Sequence, residues 1–283
     1  MKCDLHVHTR HSGMCTVPFL GGICRESYND PEQVYDTLKR RGMDLVTVTD
    51  HDSIDAVETL RRKRDFFLSE EVTTVTPDGN GLHVGVYGIT ERHHDGLQTR
   101  RGDFFALLAY IREQDLLFSV NHVFSSLTGR RSQDDFNFFV SLFPAIETLN
   151  GQIPKPLNRS ASAFAAQWRK ATVGGSDAHT IGGLARTYTE VRDARSSGEF
   201  LSHVRWGHSH VGGESGDYWK LTRAIWEIGC SMGREKPCTA LLAPLLLVVP
   251  FVTVGNLIRE LVFNYRWSKR AQQLGGSASA ETR

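Results

Sequence analysis

The sequence predicts an α/β fold, a parallel sheet or an α/β barrel, followed by a helical and partly apolar C-terminal extension. Three observations predict it. Short apolar runs alternate with helix-like stretches over the first two thirds of the chain, the pattern of strand–helix–strand units. A strong hairpin signal, Pro77-Asp78-Gly79-Asn80-Gly81, joins just two of the runs. After about residue 215 this alternation ends, and Pro237–Ile258 contains no charged residue.

The strand candidates are Cys3–His8, Leu45–Thr49, Val72–Val75, Leu82–Tyr87, Leu116–Asn121, Ala145–Leu149 and Thr172–Gly175. A helix is expected from Asp30-Pro31-Glu32-Gln33, where Asp30 can cap, Pro31 suits the first turn and Gln33 can reach back. Further helices are expected over Asp55–Arg64, Asp103–Gln114, Asp134–Leu142, Ser160–Lys170 and Asp217–Met232. The Arg61-Arg62-Lys63-Arg64 run reads as a solvated helix face. The chain shows no convincing internal repeat.

The formal charge of +1 gives no basic field of the kind a phosphate-backbone binder needs, so no nucleic-acid partner is expected. Five cysteines, an odd number without a CxxC pair, argue against a disulfide framework and for a reducing, cytoplasmic setting. Met1-Lys2-Cys3-Asp4 leads straight into a strand-like run, with no secretory h-region. The twelve histidines carry more information, because most lie in short polar motifs beside apolar runs.

In Asp4-Leu5-His6-Val7-His8-Thr9, residues two apart share one side of a strand. His6 and His8 therefore project together, and two imidazoles at a strand end suit a metal ion. Gly175-Ser176-Asp177-Ala178-His179 repeats the spacing. His51 in Thr49-Asp50-His51-Asp52 and His122 after Asn121 stand just past strand ends. His83 opens one arm of the hairpin, and Glu70-Glu71 open the other. A single HxH is more often a pair of surface histidines, but several strand edges each carrying a ligand type argue for one metal-binding rim.

With DLHVHT, TDHD, EEVTT, the histidine of GLHVGVYG, NH and GSDAH in this order, residues 1–195 resemble the PHP (polymerase and histidinol phosphatase) family. The resemblance implies a distorted (β/α)7 barrel, two or three divalent ions (Mn²⁺, Zn²⁺ or Fe²⁺) and phosphoester hydrolysis. It implies that His6, His8, Glu71 and Asp177 hold one metal. Glu71, His83 and His122 hold a second, with Glu71 bridging, and His51 and His179 contribute to a third. Glu71 rather than Glu70 matches the family pattern, because it directly precedes Val72-Thr73. The chain departs from the pattern at Ser12-Gly13-Met14, where many members carry SDG, so the aspartate of the third site is missing; His11 and Cys15 are nearby but out of register.

On this reading a pair of cations about 3.5–4 Å apart activates a water for in-line attack on phosphorus. Arg186, in Gly183-Leu184-Ala185-Arg186-Thr187, is the expected phosphate clamp, since guanidinium grips phosphate bidentately. Asp50 and Asp4 are expected to orient ligating histidines. His208 and His210 read as a glycine-rich loop or a substrate-side contact rather than a metal site, and His93-His94 as a solvated polar loop.

The expected organisation is a phosphoesterase domain over 1–215, a helical extension over 216–270 and a disordered tail over 271–283. As a helix, Pro237–Ile258 would span about 33 Å, but Pro244 and Pro250 interrupt it. The basic residues Arg259, Arg266, Lys269 and Arg270 follow. A bent segment lying on the cytoplasmic face of a membrane fits both features. The expected substrate is a small phosphorylated metabolite or a lipid-linked phosphate. A nuclease and a metal-binding regulatory module without turnover are the competing readings.

Overall fold

A computed structural model describes residues 1–17 and 19–278. The hairpin forms where the turn signal sits: β2 (Ser69–Val75) pairs antiparallel with β3 (Gly81–Tyr87), and Gly79 takes the left-handed φ of 78° that the turn requires. The sheet continues through β4 (Leu117–Val120), β5 (Ala145–Asn150) and β6 (Ala171–Gly175) in the order β2-β3-β4-β5-β6. β3 and β4 are antiparallel, while β4, β5 and β6 run parallel. A second, antiparallel sheet has the order β1-β7-β8, formed by β1 (Lys2–Cys3), β7 (Thr187–Glu190) and β8 (His210–Gly213).

These two sheets do not close into the expected (β/α)7 barrel. Cys3–His8 and Leu45–Thr49 form no long strands; Val7 bridges to Ala178 just past β6, Val46 to Phe66 just before β2, and the following His51 to Glu71 within β2. The reason is competition for backbone amides. Thr49 Oγ1 accepts from Val7 N (3.0 Å), Asp50 Oδ1 from Thr9 N (2.6 Å) and Asp4 Oδ1 from Ser176 N (2.7 Å). Side chains thus occupy donors that a regular ladder would use.

The helices pack outside. Asp30 caps α1 (Pro31–Arg40), accepting from Glu32 N and Gln33 N. The run expected over Asp55–Arg64 is helical only at α2 (Val57–Leu60). The supposed His93-His94 loop is helix α3 (Glu91–Arg100), started by a capping box between Thr90 and His93. α4 (Phe104–Glu113), α5 (Gln133–Leu142) and α6 (Lys155–Gln167) follow, with Asp103 and Ser132 capping the first two. α7 (Ser197–Arg205) precedes β8, which takes in His210 of the expected loop. Phe118, Phe136, Phe139, Phe143 and Phe164 fill the core between the sheet and these helices. Each fully buried ring contributes about 1.5–3 kcal/mol.

Asp217 caps α8 (Tyr218–Glu235), a 3-10 segment covers Pro237–Val248, and α9 runs over Val249–Ala278. The change of helix type falls between Pro244 and Pro250, as proline's missing donor dictates. The helix continues past residue 271, where the sequence suggests a disordered tail; residues 279–283 lie outside the described ones. Trp267 anchors α9 by stacking on Phe136, centroids 5.6 Å apart.

α9 exposes a broad apolar outer face, while its buried face mixes polar residues with Val249, Trp267 and Ala271. Its buried positions include Thr253, Glu260 and Asn264, while Phe251, Val252, Val254, Ile258, Leu261, Val262 and Tyr265 are exposed. Glu260 accepts from the Ser126 amide and hydroxyl beneath it. The most apolar 18-residue window of Pro237–Leu274 has a mean hydropathy of 2.3, and only 6% of it is buried.

Candidate metal centre

All eight histidines and carboxylates expected as metal ligands meet at one end of the main sheet. Glu71 stands at the centre. Its Oε2 lies 3.2 Å from His6 Nε2, 3.5 Å from His8 Nε2 and 3.3 Å from His51 Nδ1. Its Oε1 lies 3.4 Å from His83 Nδ1 and 3.5 Å from His122 Nε2. Asp177 Oδ1 faces His8 Nε2 at 3.3 Å, His6 Nε2 at 3.5 Å and His179 Nδ1 at 3.6 Å. Strand alternation separates Glu71 from Glu70, which points the other way to accept from His94 and Gln98 of α3.

The backbone is bent to make this convergence. His122 and Asp177 adopt positive φ of 33° and 50°, a conformation that non-glycine residues adopt where a site demands it. Gly175 lets β6 approach the His6 segment, since a Cβ there would lie 2.3 Å from His6 N.

The hydrogen-bond chain fixes the tautomers of two ligands. Asp50 is buried and accepts from Thr9 N, Thr9 Oγ1 and Ser12 Oγ, each at 2.6 Å. With its proton given to Asp50, the Ser12 hydroxyl accepts from His8 Nδ1 at 2.9 Å. His6 Nδ1 donates to Glu147 Oε1 at 2.7 Å. The Nε2 lone pairs of His6 and His8 therefore face each other at 3.0 Å beside two carboxylates. Such a contact is repulsive unless a cation or a proton lies in it.

Electrostatics point the same way. Burial opposes a charged His6, yet Glu71, Asp177 and Glu147 hold its imidazole well above the ordinary value. Burial and the neighbouring His179 push His8 down to about 3. Glu71 and Asp177 are held well below the usual carboxylate range despite burial, with His6 the leading cause. The Nδ1 atoms of His51 and His122 and Nε2 of His179 are buried without a hydrogen-bond partner. Three groups, His6/His8/Asp177, His8/His51/His179 and His51/Glu71/His83, each bring their ligand atoms within 4.8 Å of one another. Imidazole with carboxylate is the donor set for zinc, manganese or iron, so these residues fit divalent ions.

Sequence reasoning missed four contributors. Glu26 Oε1 lies 3.6 Å from His51 Nε2 and 3.5 Å from His179 Nε2, supplying a carboxylate where Gly13 supplies none. Glu147 orients His6 and also accepts from His122 N at 2.9 Å. Asn121 donates to Glu71 Oε1 at 2.8 Å, and Asn150 to Asp177 Oδ2 at 3.0 Å. A carboxylate inside the otherwise neutral strand Ala145–Asn150 was the readable signal for Glu147.

The residues expected to assist the cluster divide: Arg186 stands apart from it, Asp50 reaches His8 through Ser12, and Asp4 does not touch a ring. Arg186 is half exposed, 3.5 Å from Glu214, and lines a separate cavity of about 350 Å³ with Arg41, Lys220 and Arg223. Asp4 Oδ2 accepts from Ala185 N, and Ala185 has a positive φ of 55°, so the chain turns away just before Arg186. Asp50 is sealed beneath His8 and acts on it through Ser12, so it positions a ligand and touches no open face. Asp4 orders backbone amides and contacts no imidazole ring. His208 and His210 belong to none of the ligand groups among the described residues.

Comparison with known proteins places this geometry. Residues 155–209 match the family model described as PHP-associated. The fold aligns with a two-domain protein from Bacteroides vulgatus containing a predicted PHP-like metal-dependent phosphoesterase, at a TM-score of 0.58 and 17% identity, covering 81% of this chain and 69% of that one. The chain has a PHP-type fold. The same PHP-type fold aligns with PsfC from Pseudomonas syringae (TM-score 0.54, 18% identity, 82% of this chain and 98% of that one). It also aligns with the lesion-specific endonuclease PfuEndoQ from Pyrococcus furiosus (TM-score 0.50, 16% identity, 74% and 57%). An uncharacterized protein of Methanocaldococcus jannaschii is 28% identical over 88 residues, 31% of this chain and half the length of that relative.

Proposed function

We propose that this chain is a divalent-metal-dependent phosphoesterase that works at a membrane surface. One observation carries the metal: two imidazole lone pairs 3.0 Å apart, between Glu71 and Asp177, on fully buried side chains. His6, His8, Glu71 and Asp177 would hold one ion; Glu71, His83 and His122 would hold a second; His51, His179 and Glu26 would serve a third. Bound there, divalent ions supply positive charge for phosphate oxygens and acidify a water nucleophile. The protein's own part is to fix the ligands. Glu147 and the Ser12–Asp50 pair lock the His6 and His8 tautomers, and Asn121 and Asn150 hold the carboxylate rotamers. In the reaction the water oxygen bonds to phosphorus, the phosphorus–oxygen bond to the leaving alcohol breaks, and the proton the water gives up balances the one the alcohol oxygen takes.

The membrane reading draws on the exposed apolar face of α9 and on the basic residues Arg266, Lys269 and Arg270 that follow its apolar stretch. The nuclease reading has one supporting likeness, the endonuclease fold; the near-zero net charge stands against it. The test is a screen of metal-loaded protein against phosphomonoesters, phosphodiesters and single-stranded oligonucleotides. Wild type hydrolyses a phosphoester, and His8→Ala and Asp177→Ala lose bound metal and turnover together. Full turnover in either variant refutes the assignment. Flotation with anionic vesicles tests the second part: full-length protein floats, and protein that remains in the dense fraction refutes membrane attachment.

A further inference from the structure

A cavity of about 470 Å³ opens from Asp177 and His179 and runs between the last two long helices. Its far walls are apolar: Leu221, Ile225 and Ile228 come from α8, and Val252 from α9. Arg259 also lines it, bonded to Asn256 and with no carboxylate partner among the described residues. The ligand cluster thus has polar groups at one end of a cleft and hydrocarbon along the rest, the usual lining of a site that takes an amphiphile. A small hydrophilic phosphate would leave those walls in water, at about 25 cal/mol for each Å² left uncovered. The same helices expose Trp226, Phe251 and Ile258 on their outer sides. The helices that wall the cleft thus also present apolar residues outward, toward where a bilayer would lie.

We infer that the site's substrate is an amphiphilic phosphoester, its phosphate at the His/carboxylate cluster and its apolar chain in the cavity between α8 and α9. The inference rests on the phosphoesterase reading and names its substrate class. The chain-bearing alcohol is the leaving group; hydrolysis returns it to the bilayer and releases the phosphate to water.

The test uses full-length, metal-loaded protein in phosphatidylcholine vesicles and non-hydrolysable alkyl phosphonates. Dissociation constants for ethyl and decyl phosphonate are measured by calorimetry and corrected for the partitioning of each ligand into protein-free vesicles. Wild type binds the decyl compound more than about tenfold more tightly, since each methylene fully buried against the walls contributes roughly fourfold. Gly255→Leu adds bulk where a Cβ meets open space on the cavity-lining helix, and Ala224→Phe fills the opposite wall. Each brings the decyl-to-ethyl ratio down to about threefold or less. Ethyl phosphonate binding without chain preference in wild type, or a preference kept by both variants, overturns the inference and leaves the phosphoesterase reading standing. A doubled particle mass without chain preference assigns the apolar surface to a second copy and also overturns it. No binding of either phosphonate by protein shown to hold metal removes both readings.

Discussion

Replacing Glu147 with Gln probes how far the metal centre depends on groups behind its ligands. Glu147 is 3% exposed and accepts three hydrogen bonds, from His6 Nδ1 (2.7 Å), His122 N (2.9 Å) and Asn150 Nδ2 (3.0 Å). Glutamine has nearly the same shape but only one acceptor oxygen. If that oxygen serves His6, the amide NH₂ confronts the His122 N–H; if it serves His122, His6 loses its partner. Either way one buried donor is stranded, at about 1–3 kcal/mol, and a negative charge that polarises the His6 ring disappears. The same range follows from partners behind metal-bound histidines, whose loss weakens binding about 10- to 100-fold. Competition with a chromophoric chelator measures the effect. Glu147→Gln is expected to release the most tightly held ion about 10- to 100-fold more readily, while far-ultraviolet circular dichroism keeps its native form. An affinity within twofold of wild type refutes the tautomer argument.

Other outcomes follow from the same geometry. Glu26→Ala should lower the metal content by about one ion per chain, measured by plasma mass spectrometry; unchanged stoichiometry would show that Glu26 is no ligand. Burial works against a charged His51, yet Glu71 and Glu26 raise it to about 9. Below that pH a cation must expel the His51 proton, so metal affinity rises with pH up to about 9 and binding releases protons. Calorimetry in buffers of different ionisation enthalpy checks the release; a buffer-independent heat contradicts it. Phe136→Ala empties a fully buried position between Phe139, Phe164 and Trp267. It should cost about 3–5 kcal/mol in urea unfolding, and a loss below about 1 kcal/mol would show that α9 is not anchored there.

The convergence of the expected residues was legible because they lie at or near strand ends, where short motifs such as DLHVHT and GSDAH keep fixed spacing. Glu26 was not, because it lies in the irregular stretch between Thr9 and Asp30, where no periodicity ties a residue to a place. Helix α3 was invisible for a related reason: only Leu97 of Glu91–Arg100 is buried, so no apolar stripe marks it. Arg186 misled because sequence nearness to GSDAH says nothing of the turn at Ala185 that carries it away. The open circuit of the sheet could not be read either. It depends on Thr49, Asp50 and Asp4 taking backbone donors through the tertiary fold. In the C-terminal region the uncharged stretch was plain in the sequence, but the inward turn of Glu260 and Asn264 required the packing of α9 against Ser126 and Trp267's neighbours.

The measurement that bears most directly on the metal centre is anomalous diffraction at the manganese edge from crystals grown with that ion. Peaks enclosed by His6, His8, Glu71 and Asp177, and beside His83 and His122, are the predicted result. A map with no peak there, at full occupancy of the surrounding side chains and millimolar ion, would contradict the account.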